Sequence, residues 1–224
     1  MAGGAVAQTL LLSVSVVSNI VRHDESLLPL TTPGIPKVAF LTVQTLFVEA
    51  LYLGLSASEA WLGGPRWLTV VCHSFDALVV ALGAVLWLSY YALVHSEASF
   101  RATKQRNWLL WNHVVHFPTL FLPILSASVK DPTDLARHAL STTATATLAL
   151  AYAIAYACCI SRCDTPPYAF MRHLTTTRAR LCFWGTGIFA GVLPITLLTS
   201  HFVSSLKNGS SSFSSSTIRR ILRR

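Results

Sequence analysis

Charge is what this chain has least of. Only 12% of its 224 residues are Asp, Glu, Lys or Arg, where a soluble domain carries about a quarter. The few charges also avoid long intervals. No Lys or Arg occurs from Val38 to Pro65, from Trp67 to Phe100, from His138 to Ser161, or from Leu181 to Leu206. Each interval can hold the roughly 20 apolar residues that cross a bilayer. Other absences narrow the reading further. No polar stretch is long enough for a separate soluble domain, and no ten-residue alternation suggests a barrel. None of the five cysteines forms a CxxC pair, which argues against a zinc site or a disulfide framework. The first apolar run has no basic residues before it, which argues against a secretory leader.

What remains is an apolar chain, 53% hydrophobic with a mean hydropathy of +0.54. It predicts an all-α, polytopic membrane protein: a bundle of about six transmembrane helices, near 5–21, 38–58, 67–90, 108–127, 138–160 and 181–204. Residues 1–206 form the bundle, and 207–224 a Ser-rich basic tail. The net charge of +8 is not a nucleic-acid footprint. Five basic residues lie in the tail, Lys207, Arg219, Arg220, Arg223 and Arg224, where they suit anionic headgroups, a trafficking signal or plain solvation. The expected setting is an endomembrane, such as the endoplasmic reticulum, or the plasma membrane. Cys158, Cys159 and Cys163 crowd the end of the fifth helix, as small packing residues or as sites for S-acylation. Asn208-Gly-Ser fits a glycosylation acceptor.

Polar groups inside the spans are the candidate functional residues, because a charge in lipid costs roughly 2.5–3.5 kcal/mol on insertion scales and so faces the bundle interior. They are Thr42 and Glu49 in the second helix, His73 and Asp76 in the third, and Asn112, His113 and His116 in the fourth. Helical rise puts Thr42 about 7 Å and His116 about 12 Å below one face, with Glu49 and Asp76 near 17 Å. A threonine hydroxyl needs a base to become a nucleophile, and an imidazole suits that work. Asp76 or Glu49 could orient the base, and Asn112 could donate to an oxyanion. Two other readings stay open. The polar groups could glue helices together or carry protons or ligand in a non-catalytic bundle. His113-Val-Val-His116, with His73 and Asp76, could instead bind a metal or haem.

At these residues the chain resembles the androgen-induced protein family of small multispan membrane proteins. Phe40-Leu41-Thr42, Glu49 and Tyr52-Leu53-Gly54 follow the family motif near the start of the second helix. Trp111-Asn112-His113-Val-Val-His116 follows the motif of the fourth, and Asp76 an early acid of the third. Weaker echoes are Pro167-Tyr168-Ala-Phe170 and Phe183-Trp184-Gly185. The chain departs from the family in carrying Glu49 for Gln and Phe117 for Thr, and in lacking a Trp-Lys before the first motif and a Phe-Pro in the third helix. The resemblance implies hydrolysis of fatty acid esters of hydroxy fatty acids, with Thr42 as nucleophile and His116 as base. Asp76, Glu49, Asn112 and His113 are expected as candidate supporting groups. The partners expected are the lipid ester and the bilayer, with no nucleic acid and no cofactor.

Overall fold

A computed structural model describes residues 2–24, 37–63, 65–95, 106–130, 140–168, 171 and 173–205. All regular structure among them is helical. Helix α1 spans Ala2–His23, α2 Leu41–Leu62, α3 Arg66–Ser74 and α4 Asp76–Ser89. Helix α5 spans Arg106–His116, α6 Pro118–Ser128, α7 Thr142–Ser161 and α8 Thr177–Gly187. Helix α4 runs on into a π turn at Tyr90–His95, and α8 continues through a second, Ile188–Val192, into 193–205. The basic tail and the Asn208 acceptor lie outside the described residues.

Five rods are long and apolar enough to cross a membrane: Gly3–His23, Leu41–Leu62, Arg66–Leu93, Thr142–Ser161 and Thr177–Ser205. Helices α5 and α6 have 11 residues each, about 16 Å apiece and too short alone. They are joined through Phe117, whose N–H donates to the His113 carbonyl at 2.8 Å, and together they make the sixth crossing. The protein is a multi-pass, all-α membrane protein. Its many outward-facing apolar side chains, such as Phe47, Phe189 and Leu198, are what a lipid-facing surface requires.

The sequence predicts unbroken helices at 67–90 and 108–127, and the structure interrupts both. Each interruption has a local cause and a tertiary partner. Pro118 has no N–H, so the Val114 carbonyl four residues earlier loses its donor. The Ser18 hydroxyl of α1 stands 3.2 Å from that carbonyl and shares its one proton between it and the Val14 carbonyl of its own helix, at 3.1 Å. Pro123 likewise frees the Thr119 carbonyl. Gly83 of α4 packs directly against it, so closely that an added Cβ would collide with the oxygen. Between α3 and α4, Phe75 sits at φ −92°, ψ −1°. There the Cys72 carbonyl receives Lys130 Nζ at 2.8 Å. Lipid offers no water to a stray carbonyl, so broken turns survive where another helix completes them.

Helix α1 lies along α2 and also meets α5 and α6, while α4 packs on α6, α2 and α7. Helices α2 and α5 both enter from the end of the bundle where their N-termini lie. Side chains on a helix lean toward its N-terminus. A long side chain nearly three turns down α5 can therefore reach back up toward a short one near the top of α2.

Candidate active site

The Thr42 hydroxyl lies 3.1 Å from His116 Nε2. The other ring nitrogen, Nδ1, is 2.8 Å from the main-chain carbonyl of Asn112, one turn earlier on α5. A carbonyl only accepts, so Nδ1 carries the proton and Nε2 is left as the acceptor. The Thr42 O–H therefore donates to the nitrogen that would remove its proton. Both residues are buried. The ring plane is fixed as well: Tyr90 stacks on His116 with centroids 3.7 Å apart and planes within 10°.

Thr42 is unlike most hydroxyl residues of this bundle. Thr9, Ser13, Thr147, Thr186 and Ser204 each donate to the carbonyl four residues earlier in their own helix. That local bond is how hydroxyls are usually accommodated in lipid. Thr42 stands in the first turn of α2 and spends its proton across the bundle instead.

A ring of hydrogen bonds sets that first turn. The Leu41 N–H donates to Tyr168 Oη at 2.9 Å, and Tyr156 donates to the Ala39 carbonyl at 3.0 Å. The two phenols lie 3.0 Å apart. Tyr156 has already used its only proton, so Tyr168 donates to Tyr156. The sequence Leu41 N–H, Tyr168, Tyr156, Ala39 C=O thus runs in one direction, and such chains polarise one another. Tyr168 lies in the segment between α7 and α8, and burial pushes its phenol above the usual 10, so it stays a proton donor. Phe40 packs edge-on against Tyr168, with centroids 5.8 Å apart.

Thr42 and His116 open on one cavity of about 200 Å³. Leu82, Leu86, Ala149, Ile188 and Val192 make its walls apolar, Asn112 and Tyr152 reach it, and Arg22 stands at its α1 side. The π turn at Ile188–Val192 is part of this wall, and the one at Tyr90–His95 supplies the ring over His116. A π turn shifts the side-chain register of a helix, and such turns often lie at functional sites.

The remaining sequence candidates lie elsewhere. Asp76 was expected to orient His116, but Oδ1 is bound by Lys130 Nζ at 2.7 Å and by the Tyr52 hydroxyl. It lies with Lys130 near the far end of the bundle and does not line the cavity. Lys130 also donates to Tyr52 at 3.0 Å, and Ser126 and Gln8 extend the cluster to α6 and α1. The second expected orienting acid, Glu49, is wholly buried beside Ser15 of α1 and is not in the cavity wall. Among the described residues neither carboxylate bonds to His116, and the Asn112 carbonyl holds Nδ1. Asn112 therefore enters through its backbone, with its side chain buried at the cavity. His113 pairs with the Tyr91 hydroxyl, 2.6 Å from Nδ1, and borders a different cavity with Ser18 and Phe117. His113 and His116 thus diverge, and no cluster of three or more His, Cys, Asp or Glu able to hold a metal occurs among the described residues.

Sequence reasoning missed Arg22, Tyr90, Tyr156 and Lys130. Arg22 and Lys130 flank apolar intervals, where a basic residue reads as solvated. A signal for Lys130 was available, since a lone acid inside a span calls for a cation. Nothing in the periodicity marks Tyr90, because a π turn decides which way it points.

Set against protein-family models, curated proteins and solved structures, the chain matches none.

Proposed function

We propose that the protein is a membrane-embedded lipid ester hydrolase, with Thr42 as nucleophile and His116 as general base. The observation that carries this reading is the Thr42–His116 contact of 3.1 Å, its tautomer set by Asn112 and its position on an apolar cavity. Thr42 Oγ1 attacks the ester carbonyl carbon as His116 Nε2 takes its proton. The tetrahedral intermediate collapses, the C–O bond to the alcohol breaks, and His116 returns the proton to the departing alkoxide. Water then attacks the acyl-threonine, losing its proton to His116. The second tetrahedral intermediate collapses, the bond from the acyl carbon to Thr42 Oγ1 breaks, and His116 returns the proton to Oγ1 as the carboxylic acid leaves.

The oxyanion would form at the N-terminus of α2, where the helix dipole favours negative charge; the Leu41 and Val43 amides of that turn are bound to Tyr168 and the Phe40 carbonyl, so the Thr42 N–H is the candidate donor. The Asn112 side chain is the second candidate donor. The resemblance in the Phe40-Leu41-Thr42 and Asn112-His113-Val-Val-His116 islands points to the same pair, and to fatty acid esters of hydroxy fatty acids as the substrate class.

The test is labelling of the purified full chain with a fluorophosphonate, alongside hydrolysis of such an ester. Labelling at Thr42 that disappears in both Thr42→Ala and His116→Ala is expected. Hydrolysis that survives in Thr42→Ala would overturn the assignment.

A further inference from the structure

Arg22 is the cation of the cavity. It occupies the last turn of α1, half-buried, and lines the same space as Thr42 and His116. Its guanidinium lies over the Phe40 ring, 5.6 Å from the centroid. Among the described residues it forms no ion pair: the salt bridge found there joins Lys130 to Asp76.

The ordinary fates of such an arginine do not describe it. One that snorkels would carry its head out to the lipid interface, whereas this one stacks on a buried aromatic residue and borders a cavity. A structural arginine in a membrane interior pairs with an acid or with backbone carbonyls. Lys130 does both at the other end of the bundle, and Arg22 makes neither contact among the described residues. Its five N–H donors form a planar fork that matches two oxygens of one anion. An apolar cavity with one such fork among its described lining residues fits an amphiphile: an acidic head at Arg22 and hydrocarbon along Leu86, Ala149 and Ile188.

We propose that Arg22 is the anion-binding, specificity-determining residue of this cavity, so that the site selects lipids with a free acidic headgroup over neutral lipids. The proposal deepens the hydrolase reading by naming what the site recognises, but binding at Arg22 does not require that Thr42 react. A long-chain carboxylate and a long-chain phosphate monoester share the recognised chemistry.

The experiment is equilibrium binding to the purified full chain carrying Thr42→Ala, which removes turnover while leaving Arg22 in place. The probes are radiolabelled palmitate, its methyl ester and hexadecyl phosphate. Palmitate is expected to bind about tenfold or more tightly than the methyl ester, the size of one charge-assisted contact. Arg22→Gln should erase that preference by weakening the acid alone, and Arg22→Lys should keep part of it. Hexadecyl phosphate outcompeting palmitate would support the anion site and assign it to phosphate; weaker competition would support it and assign it to carboxylate. Equal binding of acid and methyl ester to the chain with Arg22 intact would overturn the proposal, whether or not the Arg22 variants fold. So would an acid preference that survives in folded Arg22→Gln. Failure of the fluorophosphonate test with the acid preference intact would remove the hydrolase reading and leave this one standing.

Discussion

The two ends of this bundle hold similar polar chemistry and use it in opposite ways. At the far end, Lys130, Tyr52, Ser126 and Gln8 bond to one another and to Oδ1 of Asp76, whose buried Oδ2 has no hydrogen-bond partner among the described residues. A cation, one carboxylate oxygen, two hydroxyls and an amide are joined in a cluster that ties α1, α2, α4 and α6. At the near end, Thr42, His116 and Arg22 border a cavity, and only the first two touch. A closed polar cluster holds helices together. An open one with an acceptor nitrogen, a hydroxyl and a cation that forms no ion pair among the described residues has contacts left for a ligand.

The largest effects should separate these ends by function. Thr42→Ala and His116→Ala should each cut ester hydrolysis by about a thousandfold, within the usual range for nucleophile–base pairs, with folded yield in detergent unchanged. A comparable loss of folded protein would instead make the near end structural too. Breaking the far end should do the reverse. Lys130→Met leaves a buried acid without its cation, and such losses cost about 3–5 kcal/mol. Thermal stability should fall sharply, while the turnover of the surviving protein stays near normal. Asp76→Asn that lowers turnover without lowering stability would bring Asp76 back into the site.

A smaller effect probes the packing between the two ends. Gly83→Ala would push a methyl into the Thr119 carbonyl, and overpacking of this kind costs about 1–3 kcal/mol. Turnover should drop along with stability, because Thr119 is three residues beyond His116 and donates to its carbonyl at 2.7 Å. Tyr168→Phe should cost about 1–3 kcal/mol by leaving the Leu41 N–H unpaired. It should also lower turnover by loosening the first turn of α2. Because burial raises the phenol above 10, its contribution to stability is complete below that pH and drains away as pH climbs through the folded value. Tyr168→Phe should therefore soften alkaline unfolding in a pH titration. Smallest of all, Glu49→Gln should leave turnover unchanged, since Glu49 lies outside the cavity wall.

The helices were legible in the sequence because lipid leaves a chain little choice: an uncharged apolar interval of sufficient length must be a rod. Thr42 and His116 were also within reach, since depth along a helix follows from residue count alone and both enter from one end. The partners of Asp76 were not. Depth placed it level with Glu49, but rotation about the helix axis decides what a side chain touches, and six polar-poor helices carry little periodic signal to fix rotation. Lys130 stands just beyond α6 and folds back to Asp76, which a count of loop charges treats as solvated. The breaks at Phe75 and Phe117 were hidden for a related reason. Composition continues through them, and only the tertiary bonds show where the ladder opens.

Pro118 has a consequence for how the bundle assembles. By withholding one N–H it leaves the Val114 carbonyl bare within the bilayer, a state worth several kcal/mol to relieve. Ser18 relieves it only when α1 stands at one height and one rotation. Greasy helices otherwise slide past one another with little penalty, because lipid and leucine are nearly the same solvent. The proline therefore acts as an address: it rewards a single docking register for α1, and with it fixes where Arg22, one turn after Ser18, arrives.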